Sequence, residues 1–442
     1  MYLLPLTLAI LFLLIDVETI VLRIRSPHVT HQTEIYMWMI LQNTAEGHAL
    51  RQSLEQGHTL RKAVLGMSFG LALVGLLMPS GDTRDFFNRQ KIMLLFLLYA
   101  MLSVSWSISP HISLRRWVQF AGVLLLAWCA MRSADAPRHT IRILRWGFAS
   151  ALCLSVLLVI VRLDAATDQQ GNWIGIFGHK NALGSVSFLA VALWLPSLFS
   201  RDSWIERRFA PLILLLAIVS AIQCDHKGAQ VCIVVIVSLW GLLKLPLQGT
   251  VKLLTTYCIF AIVALCLLTV QGLSLDTLMV EVLGRSSSLT GRVPLWGSLL
   301  ENFQQHPIFG VGYDAFWTMP NVESLRVIHA IAGWPASHGH NGYIDVLNEL
   351  GLVGFILLLV ILFQALKRAV HSNFRHDSTG MALLLLLFSQ LLVNLTESSF
   401  CRSTNIVWVM FLLTYVALAR VSLNQGIGQS IPLDGGREGH SN

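Results

Sequence analysis

Charged residues are scarce in this chain. Of its 442 residues, 12% are charged and 55% are hydrophobic, whereas about a quarter of an average globular domain is charged. Such an excess of apolar surface needs lipid as its solvent, which excludes a soluble globular protein. The net charge is +7, and the basic residues lie in the segments between apolar runs rather than on one face. This distribution is typical of loops that fix the topology of a membrane protein, and it argues against nucleic-acid binding.

Motifs for disulfides and for metal ions are also missing. The seven cysteines form no Cys-x-x-Cys pair and lie mostly within apolar runs, so they are interpreted as small packing residues. The chain has no His-Glu-x-x-His pattern, and acidic residues are sparse near His340 in the sequence. We therefore expect no obligatory metal and no other cofactor.

What the chain does contain is a series of apolar runs near 20 residues. Such runs can cross the roughly 30 Å hydrocarbon layer as helices, and they lack the alternating pattern of a membrane barrel. The sequence therefore predicts an all-α polytopic integral membrane protein with about twelve transmembrane helices. The predicted spans are 2–22, 62–80, 91–108, 116–132, 143–162, 182–199, 209–224, 229–246, 252–271, 343–366, 381–397 and 403–421. We interpret the first as a retained span rather than a signal peptide, because it has no basic leader and no cleavage site.

The distribution of basic residues predicts the topology. Short loops assigned to one side are richer in Lys and Arg than those opposite, and the positive-inside rule makes that side and both termini cytoplasmic. Residues 1–271 then hold helices one to nine, with a polar outer segment at 23–61. Residues 272–342 form one large outer loop, 343–421 hold helices ten to twelve, and 422–442 form a disordered cytoplasmic tail.

A histidine-bearing loop precedes the tenth predicted span. His338 and His340 are followed by Asn341, a good N-cap for the apolar run that begins there. The helix dipole disfavours the imidazolium form, so His340 would stay neutral near pH 7 and could accept a proton. The alternative is a hydrogen-bonded loop histidine without chemistry.

Several basic residues on the predicted outer side oppose the positive-inside bias. They are Arg115, Arg116, Lys180, Lys227 and Arg292. Their location on the same side as the two histidines suggests a shared anionic ligand, because guanidinium groups bind phosphate oxygens bidentately. Anchoring to lipid headgroups is the alternative for each of them. Asn181 is expected to cap the helix that presents Lys180.

Four blocks of residues carry a resemblance to a known family. In chain order they are Gly178-His179-Lys180-Asn181-Ala182-Leu183-Gly184; Gly291-Arg292 with Trp296; His306-Pro307-Ile308-Phe309-Gly310-Val311-Gly312; and His338-Gly339-His340-Asn341-Gly342-Tyr343 with Glu349, Gly351 and Gly354. From about Leu94 to Arg420 the chain resembles the O-antigen ligase and O-antigen polymerase superfamily of bacterial membrane glycosyltransferases. It looks most like the exopolysaccharide-polymerase branch.

The resemblance implies a helical C-type glycosyltransferase of the bacterial inner membrane, with its active site and its large loop facing the periplasm. The donor would be a glycan on undecaprenyl pyrophosphate, used with inversion and without metal. His340 matches the position of the base that activates the acceptor hydroxyl, and Arg292 matches a pyrophosphate-binding arginine. The further substrate-binding candidates are Arg115, Arg116, Lys180, Asn181, Lys227, His338, Asn341 and Tyr343. Where the family often has Ser-x-Ser-Arg or Ser-x-Ser-Lys before a Thr, this chain has 223–228, in which Lys227 keeps the charge but not the bidentate fork.

The function expected from this resemblance is polymerisation of lipid-linked oligosaccharide repeat units into surface polysaccharide or exopolysaccharide. One alternative is an O-antigen ligase, whose acceptor is lipid A core rather than another repeat unit. A more distant alternative is a polysaccharide or lipid transporter, although charges here lie at one interface rather than at the bilayer midplane. Expected partners are the donor, a glycan or lipid A core acceptor, membrane lipids and other polysaccharide-assembly proteins.

Overall fold

The computed structural model describes a large part of the chain. The described residues are 66–75, 77, 83–161, 166–177, 179–200, 203–244, 292–318, 327, 336, 338–371, 377–403 and 405–430. The predicted spans 2–22 and 252–271, the outer segment 23–61 and the start of the large loop at 272–291 lie outside them.

Most of the described part of the chain is helical. The helices are α1 (Gly66–Gly75), α2 (Thr83–Asn88), α3 (Lys91–Leu102), α4 (Pro110–Ala130), α5 (Ala136–Ile160), α6 (Lys180–Trp194), α7 (Trp204–Gln223), α8 (Lys227–Lys244), α9 (Arg292–Gln305), α10 (Gly342–His371), α11 (Ser378–Val393) and α12 (Ile406–Ser430). Short 3₁₀ turns at Ser103–Trp106 and Leu195–Phe199 extend α3 and α6. No strand occurs among the described residues, apart from one isolated bridge between Thr167 and Trp173. The all-α prediction is therefore confirmed.

Every predicted span within the described residues overlaps a helix, while the total of twelve remains a prediction. Within the described part of the chain, five stretches are long and apolar enough to cross a membrane by length and composition. They are Ala136–Ile160, Lys180–Phe199, Lys227–Lys244, Gly342–Val370 and Ile406–Asn424. Outward-facing residues such as Leu157, Leu215 and Phe363 are more than half exposed. They suit contact with lipid tails.

Two buried helices form the centre of the bundle. α11 is buried along its whole length, and α6 is buried from Leu183 to Trp194 except at Ser185. α6 packs against α5, α7, α8 and α11, and α11 also packs against α8 and α12. The loops at the ends of these two helices are thereby brought close together, and they carry the site described below.

A break in α10 was not predicted. The sequence suggested one continuous span over 343–366, but Gly351 has φ 63 and interrupts the helix. The loop after α9 forms backbone hydrogen bonds with residues on both sides of Gly351. Pro307 O accepts a bond from Leu352 N at 2.9 Å, and Gly312 N donates to Glu349 O at 2.8 Å. A Cβ at Gly351 would overlap the carbonyl of Ile308, so this position requires glycine.

The C-terminal boundary of α12 differs from the prediction. The helix continues to Ser430, whereas a disordered tail was expected from residue 422. Leu423 is buried, and the Asn424 side chain donates to Ala134 O at 2.9 Å, so this turn packs against the bundle. Residues 431–442 lie outside the described part.

Candidate active site

A single carboxylate, that of Glu397, lies at the centre of the candidate site. It belongs to the loop between α11 and α12, which folds around the Asn394 side chain. Asn394 Oδ1 accepts bonds from Ser399 N at 3.0 Å, Ser399 Oγ at 2.9 Å and Phe400 N at 2.9 Å. The loop therefore presents Glu397 in a defined position, with 15% of its side chain exposed.

Three histidines surround this carboxylate. His226 Nε2 is 3.3 Å from Glu397 Oε1, while His338 Nε2 and His340 Nδ1 are each 3.5 Å from Oε2. The rings of His338 and His340 lie with their centroids 4.0 Å apart. The two histidines of the predicted loop thus share one carboxylate oxygen.

The other carboxylate oxygen faces the first two sequence blocks of the resemblance. Asn181 Nδ2 donates to Glu397 Oε1 at 3.4 Å, and Arg292 Nη2 is 3.8 Å from the same oxygen. Arg292 Nη1 also donates to Thr396 O at 3.0 Å. Residues from α6, α9 and the histidine loop therefore meet at one acidic side chain.

The charge states of this cluster follow from burial and from its neighbours. Burial raises the pKa of Glu397, but contacts from His226, His338 and His340 outweigh it and hold that pKa well below the ordinary value. Burial lowers the pKa of His340 below 6.5, and Glu397 partly offsets this effect. An ionised carboxylate therefore faces a neutral imidazole near pH 7. Sequence reasoning attributed the neutral form to the helix dipole, whereas in the structure burial is the largest cause.

Gly339 fixes the backbone between the two histidines. Its N–H donates to Asp345 Oδ2 at 3.1 Å, and its carbonyl accepts a bond from Trp296 Nε1 at 2.7 Å. A Cβ at this position would overlap Asp345 Oδ1, so a larger residue would displace this carboxylate. The sequence blocks around Trp296 and around the histidines are therefore joined by a direct hydrogen bond.

Asn341 caps α10 as predicted. Its Oδ1 accepts bonds from Tyr343 N at 3.0 Å and Ile344 N at 3.2 Å, and its own N–H donates to Ser398 Oγ at 3.1 Å. Tyr343 OH donates to Leu391 O at 3.0 Å. Both side chains make contacts within the protein that position the histidine loop; their predicted role in binding substrate stays a prediction.

The predicted cap of α6 was wrong. His179, not Asn181, is the N-cap: its Nδ1 accepts a bond from Asn181 N at 3.1 Å. An imidazole nitrogen can replace the oxygen of a usual cap residue because it is also a hydrogen-bond acceptor. The Asn181 side chain is therefore available for Glu397.

A second charged cluster lies beside the histidine loop, around Arg402. Its guanidinium contacts Glu349 Oε1 at 3.0 Å, Asp345 Oδ2 at 3.1 Å and the Asp314 carboxylate. Arg116 Nη1 is 3.0 Å from Asp314 Oδ1. This cluster joins the large loop to α4, α10 and the loop before α12, so the predicted phosphate ligand Arg116 is already bound to a carboxylate.

The remaining predicted cations are placed differently. Arg115 is exposed, and Lys180 is half-buried in the first turn of α6. Lys227 pairs with Asp225 Oδ1 at 2.7 Å, with 57% of its side chain exposed. Of the five basic candidates, Arg292 is the one for which the structure gives a contact to Glu397.

Sequence reasoning did not single out Glu397 or Arg402 as parts of the site. The expectation that acidic residues are sparse near His340 is wrong, because Glu397 lies 3.5 Å from its ring and Asp345 bonds the neighbouring Gly339 N–H. One feature could have revealed Glu397, because it ends an apolar run on the predicted outer side, the same side as the cationic blocks. His338, His340 and Glu397 also form a group whose potential metal-ligand atoms lie within 4.8 Å of one another. The expectation of no obligatory metal rested partly on a lack of acidic residues near His340, and this argument no longer applies.

Comparisons with known proteins show two similarities in sequence. Residues 212–359 match a family model described as O-antigen ligase. The chain is 27% identical over 304 residues to the exopolysaccharide production protein ExoQ of Rhizobium meliloti (strain 1021). The aligned region covers 65% of this chain and 67% of that protein. The resemblance inferred from the sequence is thereby confirmed. Together with the apolar helices it indicates a multi-pass membrane protein.

Proposed function

We propose that this protein is a glycosyltransferase that polymerises undecaprenyl-pyrophosphate-linked oligosaccharide repeat units. The observation that carries the proposal is the meeting of His340, Glu397 and Arg292 at one partly buried position. A neutral imidazole beside an ionised carboxylate suits deprotonation of a hydroxyl, and a guanidinium suits a leaving pyrophosphate. The family match and the similarity to an exopolysaccharide production protein support a polysaccharide substrate.

The proposed reaction is a direct displacement. The acceptor hydroxyl oxygen attacks the anomeric carbon of the donor sugar and forms the new glycosidic bond. The bond from that carbon to the pyrophosphate oxygen breaks, and lipid pyrophosphate leaves with the electron pair. His340 takes the hydroxyl proton, and the anomeric configuration inverts. No metal is needed in this scheme.

Glu397 acts on His340 rather than on the sugar. Because the carboxylate faces Nδ1 at 3.5 Å, it favours the tautomer with the proton on Nδ1. The basic lone pair then lies on Nε2, and the same carboxylate stabilises the imidazolium that forms during transfer. This is the division of roles between base and orienting group found in other catalytic dyads and triads.

Arg292 is proposed to stabilise the leaving group. Its contacts to Thr396 O and Glu397 do not exhaust the five N–H donors of a guanidinium, so donors remain for phosphate oxygens. Positive charge placed where the pyrophosphate charge develops lowers the barrier, often as the larger contribution to catalysis. Lys180 and the N-terminus of α6 add positive potential on the Asn181 side of Glu397.

The site is proposed to face the periplasm from the inner membrane. Ile205 lies in the first turn of α7, and Gln170 lies in a loop tied to its other end, because Trp173 N donates to Gln223 O at 3.0 Å. Cysteine labels at positions 205 and 170 should therefore report cytoplasm and periplasm, respectively. Cytoplasmic labelling at 170 would contradict the periplasmic orientation of the site. It would also contradict the access to the lipid-linked donor that this orientation provides.

An O-antigen ligase remains the second candidate, favoured by the description of the family that residues 212–359 match. The two activities share a donor and differ in the acceptor. A gene-deletion glycan profile separates them: short repeats accumulate if a polymerase is lost, and polymer is absent from lipid A core if a ligase is lost. Purified protein that elongates lipid-linked repeat units in nanodiscs would establish polymerisation. A protein that neither elongates them nor transfers them to lipid A core would contradict both candidates.

A further inference from the structure

The histidine side of Glu397 has the spacing of a transition-metal site. His338 Nε2 and His340 Nδ1 each lie 3.5 Å from Glu397 Oε2, and the three residues each offer one ligand atom within 4.8 Å of the other two. In tetrahedral zinc sites with bonds of about 2.0–2.1 Å, neighbouring ligand atoms are separated by about 3.3–3.4 Å. Small side-chain movements would therefore bring three donors to one ion.

The donor chemistry also fits. Two imidazoles and one carboxylate form the ligand set of several zinc enzymes, with a fourth position left for water. Imidazole-rich sites suit zinc and its first-row neighbours rather than magnesium or calcium. On these grounds, we propose that His338, His340 and Glu397 bind a divalent transition metal of the Zn²⁺ type, and that this metal inhibits the enzyme.

The surroundings orient the ligands but limit the affinity. Asn181 and His226 contact the opposite oxygen, Oε1, and so hold the carboxylate in place, as outer-shell partners do in metal sites. Arg292 Nη2 is 3.8 Å from the same Oε1, and its positive charge opposes a second cation nearby. The geometry therefore points to a reversible site rather than a permanent structural ion.

Inhibition follows from the tautomers of imidazole, and this part rests on the proposed function. A neutral imidazole carries one proton on two nitrogens. If metal occupies Nδ1 of His340, the proton must lie on Nε2, and His340 can no longer accept one from an acceptor hydroxyl. The metal also takes the Glu397 oxygen that would stabilise the imidazolium.

Metal binding is tested without any glycan substrate. Tag-free full-length protein in detergent is titrated with Zn²⁺ by calorimetry and with Co²⁺ by visible absorption, where a four-coordinate site gives a strong band. His338→Ala removes one ligand, and the more conservative His338→Gln guards against misfolding, which gel filtration monitors. His111→Ala, which removes an exposed histidine from the first turn of α4, is the matched control.

The wild type and His111→Ala should each bind one more equivalent of metal than either His338 variant. Loss of an outer-shell partner typically weakens metal binding roughly 10–100-fold, so loss of a ligand should weaken it by at least this much. Equal binding by the wild type and by both folded His338 variants would overturn the proposed site.

The inhibitory effect is tested separately on glycan elongation. Zn²⁺ should suppress elongation by the wild type over the concentration range in which it binds, and EDTA should restore it. Binding without inhibition would overturn the inhibitory role. Metal binding by a protein that shows no glycan transfer at all would instead contradict the proposed function and leave the metal site standing.

Discussion

Replacing Glu397 by glutamine tests the central pair of the proposed active site. The substitution keeps the size and the amide oxygen of the side chain but removes the negative charge that faces His340 at 3.5 Å. If the carboxylate stabilises the imidazolium that forms during transfer, the loss should appear in kcat more than in KM. Expression and membrane insertion should be retained, because the side chain lies in a loop between α11 and α12.

The expected size of the effect follows from the geometry. Two unit charges 3.5 Å apart interact by about 4–5 kcal/mol at an effective dielectric constant near 20. Glu397 also contacts His226, His338 and Arg292, which partly compensate its negative charge. We therefore attribute roughly half of this energy, about 2–3 kcal/mol, to the pair of Glu397 and His340. This corresponds to a loss of roughly 30- to 150-fold in kcat.

The pH profile gives a signature that a purely structural role would not. Wild-type activity should fall as the pH decreases through the pKa of His340, which burial places below 6.5. Glu397 raises this pKa, so its removal should lower it further. In Glu397→Gln the maximal rate should be lower. The fall of activity on the acid side of the profile, its acid limb, should occur at a lower pH than in the wild type.

The assay is elongation of lipid-linked repeat units in nanodiscs between about pH 4.5 and 8, with EDTA present, a range that spans the ordinary histidine pKa. Glu301→Gln, which alters an exposed glutamate of α9, is the matched control and should keep the wild-type rate and profile. An unchanged kcat in Glu397→Gln, or an acid limb that moves to higher pH, would refute the assignment of Glu397 as the partner of His340.

Three other changes test neighbouring parts of the site. Arg292→Lys keeps the charge but loses the guanidinium fork, so turnover should drop by at least about tenfold; normal turnover would reduce Arg292 to an interface anchor. His340→Ala should abolish polymer formation with insertion intact, whereas His338→Ala should be milder; near-normal polymer in a deletion strain carrying His340→Ala would exclude it as the base. Gly351→Ala places a side chain at φ 63 against a carbonyl and should destabilise by on the order of 2 kcal/mol. Thermal denaturation in detergent should show this loss, and Gly241→Ala, whose added Cβ meets no atom within 4 Å, should show little change.

Local features of the chain were predictable from the sequence. The spans follow from runs of apolar residues whose length matches the bilayer, and that match depends on neighbours in sequence alone. The cap at Asn341 is equally local, because its side chain bonds N–H groups two and three residues further on. Local patterns also drew attention to His338 and His340, although they did not show what these side chains contact.

The contacts that give the site its chemistry were decided by the tertiary structure. Arg292 reaches the carbonyl of Thr396 across 104 residues of sequence, and Arg116 reaches Asp314 across 198. The partner of His340, Glu397, comes from a different loop, which the packing of α6, α11 and α12 brings into contact. Even the break in α10 depends on bonds from the loop that ends α9. Apolar runs show which segments avoid water, but charge pairing depends on distances in space. Those distances exist only once the helices have packed.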